Sequence, residues 1–297
     1  MKSGFIALVG RPNVGKSTLL NAIIGKKVAI TSDKPQTTRN LIQGIRTDED
    51  SQMVFVDTPG IHKPKHKLGR ALNKQTYFTL GDVDVVLFLV DITEKLGKGD
   101  MFVIDTLKNV SVPVILVINK IDRLPKEEIL RKIEEYKDLY NFDEIVPVSA
   151  YKHDNVDRLV SILKTKLTDN IKYYDEDMYT DKPVNFIVSE LIREKILDMT
   201  HEEVPHSVNV VTEEMEYNRD VVNIKATIVV DRENLKRILV GKNGAMIKEI
   251  GIRARMDIES FLGKRVYLEL FVKVIPKWRD REKYLNETVL KEFNFDK

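Results

Sequence analysis

Gly10-Arg11-Pro12-Asn13-Val14-Gly15-Lys16-Ser17 is the stretch whose reading decides the fold. An apolar run over residues 5–9 precedes it and Thr18-Leu19-Leu20-Asn21-Ala22-Ile23-Ile24 follows it, so the order is strand, glycine loop, helix. That context is what a phosphate-binding loop requires. Gly10 and Gly15 let the backbone curl until successive N–H groups point inward. The helix beginning near Lys16 adds the positive end of its dipole. Lys16 would reach the β- and γ-phosphates, and the Ser17 hydroxyl would hold a magnesium ion. The whole loop, from Gly10 through Arg11, Pro12, Asn13 and Val14 to Thr18, is therefore a candidate nucleotide site.

The 297 residues suit one large or two medium domains, and a hydrophobic fraction of 42% is ample for buried cores. The absence of cysteine excludes disulfides and thiolate metal sites. No secretory signal pattern opens the sequence, and no apolar stretch reaches the roughly 20 residues that span a bilayer. The expected location is the cytoplasm. The net charge of +2 hides a local contrast. Residues 183–224 carry three Lys/Arg against nine Asp/Glu, whereas residues 225–283 carry fifteen against eight. An anionic partner is expected for the later segment.

Working outward from the loop, residues 26–39 lack strong periodicity and contain Thr31-Ser32-Asp33-Lys34-Pro35-Gln36-Thr37-Thr38-Arg39. Beside a phosphate loop, such a hydroxyl-rich stretch is a candidate switch, with Thr37 or Thr38 completing a magnesium shell. Two short strands follow, and the second ends at Asp57-Thr58-Pro59-Gly60. Asp57 would hold magnesium through a water, and the Gly60 N–H would approach the γ-phosphate. Residues 83–90 and 112–118 are continuous aliphatic runs separated by a helical segment. Strands buried on both faces read this way, so an α/β fold with a mostly parallel sheet is expected. The second run ends in Asn119-Lys120-Ile121-Asp122, at the sheet end where ligands bind. Asp122 can accept from N1–H and the exocyclic amine of guanine, a donor pair that adenine lacks. Asn119 would tie the base loop to the phosphate loop, and the Lys120 stem would lie over the base. The backbone N–H groups of Ser149-Ala150, after a third strand, would meet the guanine O6.

Together these motifs resemble the translation-factor-like guanine-nucleotide-binding proteins, the family of small G domains. The resemblance covers residues 2–172. It implies GTP and GDP as ligands, magnesium dependence, hydrolysis served by Lys16, Thr38 and Gly60, and switch loops near residues 26–40 and 60–73. The choice of Thr38 over Thr37 rests on it. One departure concerns catalysis. Where many relatives carry a water-orienting glutamine after the Asp-x-x-Gly glycine, this chain has Ile61, which can neither donate nor accept a hydrogen bond. Slow turnover is expected. In a subgroup that also lacks the glutamine, the asparagine matching Asn13 helps hold a potassium ion. The competing reading is a loop-stabilising amide.

Residues 169–183 are polar, tyrosine-rich and without clear periodicity, which places a linker at 173–183 between a G domain at 1–172 and a second domain at 184–297. The second domain reads α, β, β, α, α, β. Between its paired helices lies Val240-Gly241-Lys242-Asn243-Gly244. A Gly-x-x-Gly bend lets a nucleic acid backbone come close, with Lys242 and helix ends at the phosphates. Ile238 and Ile247 frame it with apolar surface, and Lys248 adds charge. This stretch is similar to a KH domain of the type II order, an α+β fold whose ligand is single-stranded RNA. Residues 276–281 start a final helix in which Trp278 either packs on the core or stacks on a base. A G domain joined to one such KH domain resembles a family of bacterial GTPases. That resemblance implies binding of the 3′ end of 16S rRNA, a monomer, and a role in maturation of the 30S subunit. Two other readings remain: a nucleotide-regulated RNA-binding protein with negligible turnover, and a membrane-associated GTPase.

Overall fold

Two of the aliphatic runs become strands buried on both faces, β4 (Val85–Asp91) and β5 (Val114–Asn119). Each fully buried Val, Leu or Ile contributes about 1.5–3 kcal/mol, so these runs anchor the sheet. The computed structural model describes residues 1–34, 37–60, 67–285 and 288. Pro35 and Gln36 of the switch stretch, Ile61, residues 62–66 of the second switch and most of the C-terminal helix lie outside the described residues. The chain forms two compact units, residues 1–65 with 69–181 in the first and residues 182–297 with 66–68 in the second.

In the first unit, β1 (Lys2–Gly10) leads through the glycine loop to α1 (Lys16–Ile24). β2 (Ile42–Thr47) and β3 (Ser51–Asp57) pair antiparallel. Then come α2 (Lys67–Leu80), β4, α3 (Lys98–Leu107), β5, α4 (Lys126–Tyr136), β6 (Glu144–Pro147) and α5 (Val156–Lys166). The strand order is β2-β3-β1-β4-β5-β6, parallel throughout except for β2. The doubly wound α/β sheet is as expected. Two helices went unread in the sequence although their spacing is helical. Leu68, Leu72 and Thr76, four apart, are buried in α2, so a helix occupies much of the stretch expected as a switch loop. Ile129, Ile133 and Tyr136 give α4 its inward face.

Residues 169–181, polar and aperiodic, pack as a strap past the starts of β1 and β3 and along the open edge of β2. Asp169 and Thr180 bridge to Ser3 and Gly44. The Gln52 side chain, fully buried, accepts from the Tyr173 and Tyr174 N–H groups at 2.8 and 2.9 Å and donates to Tyr174 O at 2.8 Å. Ile45 N–H donates to Tyr179 O at 3.0 Å. The strap is held by hydrogen bonds rather than by an apolar stripe, which is why it shows no period, and it covers an edge that would otherwise invite pairing.

The second unit comprises α6 (Val184–Met199), α7 (Val204–Ser207), β7 (Val208–Tyr217), β8 (Val221–Val230), α8 (Glu233–Val240), α9 (Ala245–Leu262) and β9 (Arg265–Val274). The short α7 is an addition to the expected α, β, β, α, α, β order. β7 and β8 pair antiparallel and β8 and β9 parallel, in the order β7-β8-β9. Val222, Ile224, Ala226 and Ile228 form the inner row of β8, and Ile250, Ala254 and Ile258 repeat at four-residue spacing on α9. A 3₁₀ turn (Trp278–Asp280) and α10 (Glu282–Tyr284) follow. Trp278 is fully buried, donates from Nε1 to Ser207 O at 2.9 Å and meets Tyr284 edge-on, so it is a core residue and not a stacking platform. No helix among the described residues is long and apolar enough to cross a membrane.

Candidate nucleotide and nucleic-acid sites

The first strand ends where the chain must turn sharply, and the backbone there enters conformations that side chains resist. Gly15 has φ 98°, and a Cβ there would run into the Asn119 amide. Inside the loop, Lys16 is buried, with Nζ donating to Gly10 O at 3.2 Å and Arg11 O at 2.9 Å. Burial pulls its ammonium down to about 8, with Asp57 acting in the opposite direction. Arg11, on the cavity wall, has its guanidinium 3.1 Å from Asp100 Oδ2 on α3. Asn13 Nδ2 donates to Asp33 O at 2.5 Å, linking the loop to the first switch stretch.

Three oxygen donors from three elements converge beside Lys16. Ser17 Oγ, on α1, donates to Asp57 Oδ2 at 2.7 Å and lies 3.0 Å from Thr38 Oγ1, which itself donates to Asp57 Oδ2 at 3.2 Å. Thr37 points elsewhere, donating to Lys34 O at 2.6 Å. Burial raises the Asp57 carboxyl above its usual range, opposed by Lys16, Ser17 and Thr38, and Oδ1 has no hydrogen-bond partner among the described residues. A buried carboxylate oxygen without a partner, flanked by two hydroxyls, is a donor set that fits a small hard cation such as magnesium. Thr58 Oγ1 donates to Leu8 O at 2.7 Å and Pro59 O accepts from Thr76, which fixes the turn. Gly60 then passes so close that a Cβ would sit 2.8 Å from Pro12 N.

At the other end of the cavity, Asn119 is the tie expected from sequence: Nδ2 donates to Val14 O at 2.9 Å, and Oδ1 accepts from the Ala150 N–H at 3.1 Å. Asp122 accepts from Ser149 Oγ at 2.5 Å. The Ser149 N–H donates to Asp154 O at 3.0 Å and the Ala150 N–H to Asn119 Oδ1 at 3.1 Å. What these residues supply here is support for Asp122 and Asn119. Lys120, in a left-handed conformation, donates from Nζ to Asn13 O at 2.8 Å and Asp91 Oδ2 at 2.5 Å. Asp91 escaped the sequence reading. The signal for it was present: like Asn119, it is the first polar residue after a buried aliphatic strand. A cavity of about 770 Å³ runs from Lys16, Ser17, Thr38 and Gly60 to Asp122 and Ala150, with Thr18 also on its wall.

In the second unit, Gly241 (φ 72°, ψ 176°) occupies a region essentially closed to other residues, and its Cβ would lie 2.8 Å from Met246 N. Asn243 and Gly244 also have positive φ, so the bend is sharp and its backbone open to approach. Ile238 is exposed on one side. On the other, Ile247 and Lys248 open an apolar groove of about 320 Å³ continued by Gly251, Ile252, Arg255, Tyr267 and Leu270. The last five were not foreseen. The four-residue step from Ile247 to Gly251 to Arg255 places one helix stripe on the groove, but β9 reaches it only through the tertiary fold.

The family described as 50S ribosome-binding GTPase matches residues 5–120, and the KH domain matches residues 203–279. A crystal structure of Era in complex with MgGDPNP and nucleotides 1506–1542 of 16S ribosomal RNA is 43% identical, with a TM-score of 0.93, covering 96% of this chain and 98% of that one. A single-site variant of Aquifex aeolicus Era bound to GDP and AlF4⁻ is also 43% identical, with a TM-score of 0.91 and the same coverage. With 43% identity over 96% of its length, and with a GTPase-family match followed by a KH-domain match along one chain, this protein belongs to the Era family of GTPases.

Proposed function

We propose that this protein binds and hydrolyses GTP, binds single-stranded RNA at the 3′ end of 16S rRNA through its KH groove, and serves maturation of the 30S subunit as a cytoplasmic monomer. The observation that carries the nucleotide half is the single cavity lined by Lys16, Ser17, Thr38 and Asp122. The loop N–H groups and Lys16 hold the phosphates, Ser17, Thr38 and Asp57 hold magnesium, and Asp122 reads the guanine edge while Ser149 orients it. Magnesium bound there would spread the charge that develops on the phosphate oxygens. The groove beside Gly241, Lys242, Asn243 and Gly244 takes unstacked bases, with Lys248 and Arg255 near the backbone. The relative crystallised with a 16S rRNA fragment supports this half. Binding of a 16S 3′-end oligonucleotide and a scrambled one, each with GDP and with a non-hydrolysable GTP analogue, tests it. Equal affinity for both oligonucleotides would refute the ribosomal assignment.

Base selection gives a sharper check. Asp122→Asn removes the charge from two hydrogen bonds worth about 1.5–3 kcal/mol each. GDP affinity is expected to fall at least about a hundredfold, while xanthosine diphosphate, which carries a carbonyl in place of the amine, gains. Competition against a fluorescent guanine nucleotide measures both.

Turnover is slow in this reading, because Ile61 cannot orient water. Asn13, with Nδ2 engaged on Asp33 O, would offer Oδ1 to a potassium ion beside the phosphates. Such an ion would supply positive charge where other GTPases use an arginine. Single-turnover hydrolysis is expected to be several-fold faster in potassium than in sodium, with the difference lost in Asn13→Ala. Ile61 also favours a second reading, a nucleotide-regulated RNA-binding protein with negligible turnover. Hydrolysis no faster than the uncatalysed reaction in either salt would select it.

A further inference from the structure

We propose that Asp91 is a positioning residue of the nucleotide site: acting through Lys120, it fixes that side chain as a wall of the base subsite and as a latch on the phosphate loop. The proposal rests on the guanine-nucleotide reading above. Asp91 ends β4 in register with Asn119 at the end of β5, and Ile92 N–H donates to Asn119 O at 3.0 Å. The two strand ends thereby deliver Asp91 and Lys120 to the same side of the cavity, and both line it.

The Asp91 side chain is only 6% exposed, an environment that by itself favours the neutral acid. Three donors answer its charge. Thr93 N–H and Thr93 Oγ1 bind Oδ1 at 2.9 and 2.7 Å, and Lys120 Nζ binds Oδ2 at 2.5 Å. Against the cost of burial, these bonds hold the carboxyl below its usual range. The Lys120 ammonium has a second anchor at Asn13 O, 2.8 Å away. Gripped at two points, and rising from a left-handed backbone, the four-carbon stem bridges the base loop and the phosphate loop. A stem held this way offers its methylene groups to the face of a planar base, whereas Asp122 meets the edge. Face contact adds affinity without distinguishing one purine from another. The role of Asp91 therefore has a signature different from that of Asp122.

Asp91→Asn is the decisive variant. It keeps an oxygen for Thr93 and the shape of the side chain, and removes the charge that grips Lys120. In the full chain with magnesium, dissociation of a fluorescent GDP is expected to quicken about tenfold. Affinities for GDP, inosine diphosphate and xanthosine diphosphate should fall by one common factor. Lys120→Ala should reproduce the loss, and the double variant should be no weaker than the weaker single one, because Asp91 acts only through Lys120. Unchanged dissociation, a loss confined to one base, or additive losses in the double variant would each overturn the proposal. A purely structural Asp91 would instead lower the nucleotide-free unfolding temperature without that saturation. Wild-type protein that retained no guanine nucleotide would overturn the underlying reading and the proposal with it. Wild-type protein that binds, matched by Asp91→Asn, would overturn the proposal alone.

Discussion

Lys16→Met is expected to lower single-turnover GTP hydrolysis by roughly a thousandfold, the scale on which losing one preorganised donor to a developing oxyanion costs an enzyme. Lys16 is held by two loop carbonyls, Gly10 O and Arg11 O, and burial pulls its ammonium down to about 8. A desolvated cation in place before substrate arrives needs little reorganisation to meet the β- and γ-phosphates, and the low-dielectric surroundings strengthen that contact. The same burial separates a catalytic loss from a folding defect. Removing the ammonium relieves its desolvation but also takes a positive charge from beside Asp57. These effects oppose one another, so the unfolding free energy should change by less than the roughly 4 kcal/mol that a thousandfold loss of rate represents. Urea denaturation alongside rapid-quench hydrolysis checks both. Collapse of stability in step with activity would show that Lys16 holds the loop together rather than serving the phosphates.

The parts of this site legible in the sequence are those where local order along the chain coincides with place in the fold. Gly10 to Ser17 sits between a strand and a helix. Asp57, Asn119 and Ser149 stand at or just after strand ends, so a parallel sheet brings them to one edge by its topology alone. What stayed hidden depends on which side chain faces which across that edge. Nothing local distinguishes Thr38, which meets Ser17 and Asp57, from Thr37, which closes a turn on Lys34. Likewise Asp91 gains its meaning from a lysine 29 residues away. The strap over β2 was hidden for a related reason. Its partners, Gln43 and Gln52, are polar side chains on strands whose apolar neighbours had already decided their reading. In the KH unit the helix stripe was visible, but the Tyr267 and Leu270 wall arrives on a strand nearly twenty residues downstream.

The second large effect is expected in that unit. Gly241→Asp combined with Gly244→Asp should weaken binding of a 16S 3′-end oligonucleotide by at least about a hundredfold. Each new carboxylate sits where phosphates would approach the bend, and like charges brought together cost several kcal/mol, with every 1.4 kcal/mol a factor of ten. Backbone strain adds to this. Gly241 has φ 72° and ψ 176°, a conformation that costs other residues about 1–3 kcal/mol. The Met246 backbone also lies only 2.8 Å from the added Cβ, so the loop must shift and α9 loses its fixed start. At Gly244, by contrast, the Cβ meets nothing within 4 Å, and aspartate tolerates its left-handed backbone. Gly244→Asp alone is therefore the cleaner probe of charge, and the Gly241 change the probe of shape. GDP affinity should not change in either, because the nucleotide cavity is built wholly from residues before Asp181. Fluorescence anisotropy of the labelled oligonucleotide, with GDP and with a GTP analogue, measures the loss and shows whether nucleotide state alters it. Retained RNA affinity in the double variant would move the RNA site away from the Gly-x-x-Gly bend altogether. Phe271, exposed on β9 and absent from the lining of that groove, would then be the residue to substitute next.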